Sequence, residues 1–190
     1  MTNSSHFRDD VFKIFLGLGV EKSALHILQH GGGGLQAFNF ALYYEREIAD
    51  TFYTTGSCGA DGVKIVNLGR VNNKIRGVKP KRDGNILVCL GVCQRIACDI
   101  RAMPLAGQHL NYFQFVADLV NGLSDEVKSK IVIRIYPKED YGWQQEETMQ
   151  RLIPGVKIDR GDESFKDALK KSRLMISTYN ATTYNETLAE

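Results

Sequence analysis

Ile86-Leu87-Val88-Cys89-Leu90-Gly91 runs five apolar residues into a closing glycine. A strand with one wet face alternates apolar and polar positions. A strand that is apolar throughout is buried on both faces, as in a parallel sheet covered by helices on either side. The sequence downstream repeats that theme. Gly107 to Gly122 reads as a helix with Tyr112, Val116 and Leu119 on one stripe, Phe113 and Val120 flanking it, and Gly122 as its stop. Ile131 to Tyr136, ended by Pro137, is a second buried strand, followed by a short helix near Thr148 to Leu152 and a third strand at Val156 to Ile158. Glu163 to Lys171 is a helix carrying Phe165 and Leu169, and Leu174 to Ile176 is a further strand. Strand and helix alternate throughout, which predicts an α/β fold with a doubly wound parallel sheet and ligands at the carboxyl ends of its strands.

Upstream, Arg70 to Asn85 carries Arg70, Lys74, Arg76, Lys79, Lys81 and Arg82 against Asp83 and ends in Pro80 and Gly84. No aromatic residues are interleaved with those charges, so the stretch reads as a solvated linker rather than a nucleic-acid patch. It divides the chain into 1–80 and 81–190. The first part has the same grammar: a helix within His6 to Gly19 with Val11, Phe12, Ile14 and Phe15 on one face, and a strand at Ala24 to Gln29. A helix or ordered loop over Leu35 to Ala49 follows, then strands at Asp50 to Thr54 and Val63 to Gly69. Two Rossmann-like parallel-sheet units are expected.

Three places carry candidate chemistry. The strand at Ala24 to Gln29 runs into His30-Gly31-Gly32-Gly33-Gly34, and four glycines allow positive φ and close backbone approach to a ligand. Neither the phosphate-loop signature nor Gly-x-Gly-x-x-Gly is satisfied there. His30 at the strand end is either a general base or phosphate contact near neutral pH, or a solvated turn histidine. His26, inside the strand, reads as a core histidine. Next, Arg134 lies in an apolar strand, where an unpaired charge is costly, so it meets either an anion at the strand end or an internal acid. Tyr141 and Trp143 nearby either stack on a base or cover the core. Last, Ser177-Thr178-Tyr179-Asn180-Ala181-Thr182 is a hydroxyl-rich loop feeding a helix start at Thr183. Unpaired N–H groups and the helix dipole suit a phosphate or diphosphate there, with Glu186 one turn on, placed for a ribose diol. The competing reading is an ordinary cap, with Asn180 or Thr182 as N-cap and Glu186 as capping-box partner.

Composition narrows the classes. The 190 residues are 43% hydrophobic and 24% charged, which suits a globular chain. With 24 Lys+Arg against 22 Asp+Glu, there is no global basic field, and nucleic acid is not an expected partner. No apolar run approaches the roughly 20 residues that cross a bilayer, and residues 1–10 lack a signal-peptide pattern, so a cytoplasmic chain is expected. Cys58, Cys89, Cys93 and Cys98 contain no Cys-x-x-Cys pair and read as reduced, mostly buried thiols, with no metal assigned there even with His109 in reach.

In their order along the chain, His30 with its glycines, Glu47-Ile48-Ala49-Asp50 with a strand ending at Thr55-Gly56, Val66 to Gly69, Arg134-Ile135-Tyr136-Pro137, and Ser177 to Thr183 with Glu186 form a pattern. It resembles the transferases of bacterial O-antigen and surface-polysaccharide biosynthesis. It is similar, more distantly, to glycosyltransferases of the two-Rossmann-domain (GT-B) type. The likeness runs from about Leu28 to Glu190. It implies that 1–80 is the end of an acceptor-side domain and 81–190 the first part of a nucleotide-sugar-binding domain. On that likeness, Asn180, Thr182 and Thr183 contact donor phosphates, Glu186 the ribose, Arg134 belongs to the donor side, and His30 faces the cleft as base or acceptor contact. The implied partners are a nucleotide sugar and a glycan or lipid-linked glycan acceptor, the latter bringing the chain to the inner face of the membrane. No cofactor beyond the donor is implied. Two departures stand out. Some related capsule transferases have His-Pro where this sequence has Tyr136-Pro137, and the chain stops at Glu190, one turn into the closing helix, as a fragment of a two-domain enzyme would. A sugar epimerase or polyol-phosphate transferase of similar fold, and a non-catalytic nucleotide-binding module or truncated remnant, are the alternatives.

Overall fold

In the computed structural model of the chain, the residues described are 9–19, 23–29, 40–54, 64–68, 77–91, 106–136, 141–179 and 187. The chain divides into two compact units, one built mainly on Met1–Asn73 and the other on Lys74–Asn180. Among the described residues each contains one sheet in which every neighbouring pair of strands is parallel, so the fold is α/β with two parallel sheets.

The first unit has α1 (Asp10–Gly19), β1 (His26–Leu28), α2 (Phe40–Ile48), β2 (Thr51–Thr54) and β3 (Lys64–Asn67), with strand order β1-β2-β3. Ile27 pairs with Phe52 in register, and the two are fully buried at the centre of a small core with Ala49, Leu25 and Ile48. Asp50 fixes the strand starts, because its carboxylate accepts from Leu25 N at 2.6 Å while its own N–H donates to Leu25 O at 3.0 Å. His26 lies where a core histidine was expected, half-buried, with Nδ1 3.1 Å from the Tyr53 hydroxyl and the rings stacked. α1 forms, with Asp9 Oδ1 accepting from Phe12 N at its first turn. Its apolar face is not core, however: no α1 residue is buried, and Leu18 is 80% exposed.

The second unit has β4 (Asn85–Cys89), α3 (Ala106–Asn121), α4 (Asp125–Lys128), β5 (Ile131–Arg134), α5 (Gln145–Leu152), β6 (Lys157–Asp159), α6 (Phe165–Lys170) and β7 (Ser172–Ser177). Its strand order is β6-β5-β4-β7. β4 is central and apolar on both faces, as its sequence demands. Ile86, Val88 and Leu90 point into a core with Phe113, Val116, Ala117 and Val120 of α3 and Met149 of α5, whereas Leu87 and Cys89 point the other way, onto Ala168 and Leu169 of α6. Helices therefore cover both faces of the sheet, the doubly wound arrangement. Each fully buried side chain of Val, Leu, Ile or Phe size contributes roughly 1.5–3 kcal/mol, so the β4 row anchors the unit.

Some details differ from the sequence expectation. The buried stripe of α3 is His109, Phe113, Val116, Ala117 and Val120, and Leu119 is 47% exposed. The stripe is rotated because β4 and β5 sit under Phe113 and Val120 rather than under Leu119. α5 starts at Gln145, since buried Gln145 and Thr148 have polar partners that apolar periodicity does not register: Gln145 Oε1 accepts from Tyr136 N and Thr148 Oγ1 donates to Trp143 O. α4 is a single turn too short to leave a periodic pattern. β7 begins at Ser172, with an irregular register opposite Asn85 and Ile86. α6 is capped by Ser164, whose Oγ accepts from Asp167 N at 3.2 Å.

Candidate functional site at the carboxyl ends of β4 and β7

From β4 the chain crosses to β5 and on to β6 in one direction, then returns to place β7 on the opposite side of β4. The strand order therefore reverses between β4 and β7, and such a switch point opens a crevice beyond the strand ends in doubly wound sheets. The residues at this mouth are joined by one chain of hydrogen bonds. Gly91 N donates to Tyr112 Oη at 2.9 Å, Tyr112 Oη lies 2.5 Å from Thr178 Oγ1, and Thr178 Oγ1 donates to Cys89 O at 2.7 Å. An amide can only donate and a carbonyl can only accept, so the Tyr112 proton must point to Thr178 and the Thr178 proton to Cys89. Burial pushes the Tyr112 hydroxyl up to about 12, against the lowering influence of its Thr178 and Gly91 bonds, so it stays protonated across the physiological range. One residue earlier, Ser177 Oγ donates to Tyr179 O at 2.8 Å.

Arg134 sits at the same level of the sheet, in register with Cys89 on one side and Asp159 on the other. Its Nη1 bonds Asp159 Oδ2 at 2.5 Å, its Nη2 donates to Glu163 O at 3.1 Å, and its guanidinium lies 5.8 Å from the Phe165 ring centroid. Both charged side chains are 12% exposed. Asp159 uses its second oxygen on Gly161 N at 2.8 Å. Of the two fates that the sequence leaves open for this arginine, the internal acid is thus occupied. Trp143 lies against His109 and Phe113, with ring centroids 4.5 Å and 6.3 Å apart, so it covers the core.

In the first unit, the carboxyl ends of β1 and β2 are tied by Thr54 Oγ1 donating to Gln29 Oε1 at 2.5 Å, both residues buried. Glu45 on α2 is 3% exposed, and desolvation pushes its carboxyl up to about 7. His30, Gly31, Gly32, Gly33 and Gly34, and likewise Asn180, Thr182, Thr183 and Glu186, lie outside the described residues. Of the expected site residues, the structure therefore locates Arg134 and the loop start Ser177 to Tyr179. Tyr112 read in the sequence as part of a core stripe. The signal that could have singled it out is a phenol where the stripe otherwise calls for hydrocarbon.

Among the described residues, no cluster of three His, Cys, Asp or Glu side chains is placed to hold a metal, and no helix is long and apolar enough to cross a membrane. No curated protein and no solved structure gives a significant match to the chain. A family model described as LIC12162 family transferase matches all of residues 1–190, and the chain belongs to that family of transferases.

Proposed function

We propose that this transferase moves a glycosyl group from a nucleotide sugar to a glycan or lipid-linked glycan acceptor of a bacterial surface polysaccharide. The observation that carries the reading is the strand reversal at β4 and β7. It is where a doubly wound sheet takes a nucleotide, and β7 leads from it directly into the polar sequence Asn180 to Glu186. In this scheme the N–H and hydroxyl groups of Asn180, Thr182 and Thr183 hold the donor diphosphate and Glu186 takes the ribose hydroxyls. Arg134 supports the strand ends through its Asp159 pair. The acceptor hydroxyl oxygen attacks the anomeric carbon and gives its proton to His30. The bond from that carbon to the phosphate oxygen breaks, and the electron pair leaves on the nucleotide phosphate. Donors preorganised around the leaving oxygens lower the barrier. Catalysis takes place on the cytoplasmic side, at the membrane face if the acceptor is lipid-linked.

Titration with UDP, CMP and GDP tests the scheme. One nucleotide is expected to bind, with Thr182→Ala and Glu186→Ala each weakening it about tenfold, as the loss of one or two hydrogen bonds to a charged or polar ligand does. Absence of binding to all three, or affinities unmoved by both substitutions, refutes the donor site.

A further inference from the structure

We infer that Tyr112 is a positioning residue of the nucleotide crevice, its hydroxyl latching the end of β7 to the end of β4 where the strand order reverses. The inference rests on the donor site proposed above.

The latch joins three elements. Tyr112 projects from the middle of α3, Gly91 follows β4, and Thr178 follows β7. The last rung of the β4–β7 ladder, at the Cys89–Ser177 pair, is reinforced by a side chain. Thr178 N donates to Cys89 O at 3.3 Å, and the Thr178 hydroxyl donates to the same carbonyl. Thr178 is half-buried, and Gly91 is buried, so an orphaned Gly91 N–H would have little access to water.

The directions of these bonds decide what the latch can do. Both hydroxyl protons and the Gly91 N–H are committed within the chain, so only lone pairs are left over. Phosphate oxygens bring no protons, and Tyr112 and Thr178 therefore cannot serve as their donors without breaking the latch. Their contribution to an anionic ligand is geometric: they fix where β7 delivers the residues that follow Tyr179. A protonated tyrosine, kept so by burial, is suited to that task and unsuited to acid-base work at neutral pH.

Tyr112→Phe removes one oxygen and keeps the ring that packs beside His109 and Phe113. The test combines amide hydrogen exchange with titration of UDP, CMP and GDP, using wild type, Tyr112→Phe, Thr178→Val, the double variant Tyr112→Phe/Thr178→Val, and Thr178→Ser. Exchange at Gly91 is expected to accelerate at least tenfold in Tyr112→Phe, while amides of β5 exchange as in wild type. The Kd of the bound nucleotide is expected to rise about tenfold in Tyr112→Phe and Thr178→Val, to rise no further in the double variant, and to stay within threefold in Thr178→Ser, which keeps the hydroxyl. Unchanged exchange at Gly91 overturns the latch itself. Faster exchange with an unmoved Kd overturns the positioning role while leaving the donor site standing. If wild type binds none of the nucleotides, the donor site fails and the positioning role fails with it, and the Gly91 exchange rate shows whether the latch survives as a structural bond.

Discussion

Removing one partner of the Arg134–Asp159 pair should cost the second unit more than removing both. The two side chains are 12% exposed and bonded at 2.5 Å, at the end of the central part of the sheet. At an effective dielectric near 20 and a separation of charge centres of about 4 Å, their attraction is on the order of 4 kcal/mol, and loss of one partner of such a buried pair costs about 3–5 kcal/mol. Asp159→Ala should lie at the upper end of that range, because it strips Arg134 of its counter-charge and Gly161 N of its acceptor together. Arg134→Met should cost about 3 kcal/mol, since the carboxylate keeps Gly161 N. The double variant Arg134→Met/Asp159→Leu should return to within about 2 kcal/mol of wild type, as replacement of buried pairs by hydrocarbon of similar volume often does. Trp143, the single tryptophan, is packed in this unit and reports its urea unfolding by fluorescence. Single-variant losses below 1 kcal/mol, or losses that simply add in the double variant, refute the coupled-pair reasoning. The same proteins separate support from ligand contact: below its unfolding transition, Arg134→Met should bind the nucleotide within about threefold of wild type, and a loss of tenfold or more would make the arginine a direct contact.

Glu45 gives the first unit a pH dependence of definite sign. Its folded carboxyl is raised from 4.5 to about 7 by desolvation, so the folded state holds a proton that the unfolded chain has released, and stability falls as pH rises between those values. Glu45→Gln should flatten the profile, read from amide exchange of β2 at pH 5 and pH 8; an equal slope in both proteins contradicts the buried-carboxyl account. Gly84→Ala places a Cβ against Lys171 O and 2.9 Å from Arg173 N and Lys81 O, all backbone atoms, and should lose about 1–3 kcal/mol in the same urea assay. Cys89, buried and pushed up to about 12 mainly by desolvation, should react with Ellman's reagent only at the unfolding rate in a chain with the other three cysteines changed to serine. Rapid labelling of the folded protein would contradict that burial.

The second unit was legible because hydrophobic runs of strand length admit few arrangements. Ile86 to Leu90 and Ile131 to Ile133 could only be buried strands, and the helical stretch between them leaves a parallel crossover as the economical link. What periodicity missed was polar. Gln145 and Thr148 start α5 through hydrogen bonds, and Ser172 opens β7 by donating its hydroxyl to Ala168 O at 2.8 Å, where an apolar pattern would place the strand start two residues later. Helical spacing puts Leu119 on the stripe of Tyr112 and Val116, yet it is exposed, because spacing gives the angle between side chains but not which strand lies beneath them. The Tyr112–Thr178 bond spans 66 residues and was beyond any local pattern. Arg134 shows the limit from the other side: its burial in a strand announced a partner, but an anionic ligand and Asp159 leave the same mark on the sequence.

Register shows why the chemistry collects at one edge. Across β6, β5, β4 and β7, the residues Ile158, Ile133, Val88 and Ile176 stand side by side, and the next row is Asp159, Arg134, Cys89 and Ser177. One step along the strands takes the sheet from four apolar side chains to an ion pair, a thiol and a hydroxyl. The apolar row faces α3 and α5, and the row beyond it faces α6, where Phe165 lies against the Arg134 guanidinium. A charge is tolerated at that level because Asp159 neutralises it and the Glu163 carbonyl takes a further N–H. Beyond the row, the last inter-strand backbone bonds run from Leu90 N to Arg134 O, Ile135 N to Asp159 O and Thr178 N to Cys89 O, and the Tyr112 and Thr178 hydroxyls add a partner for Gly91 N and a second donor for Cys89 O. The sheet thus ends on satisfied polar groups held by side chains from α3, β6 and β7. A chemically differentiated edge of this kind, where the strand order of the second sheet reverses, is the physical ground for seeking the transferase site there.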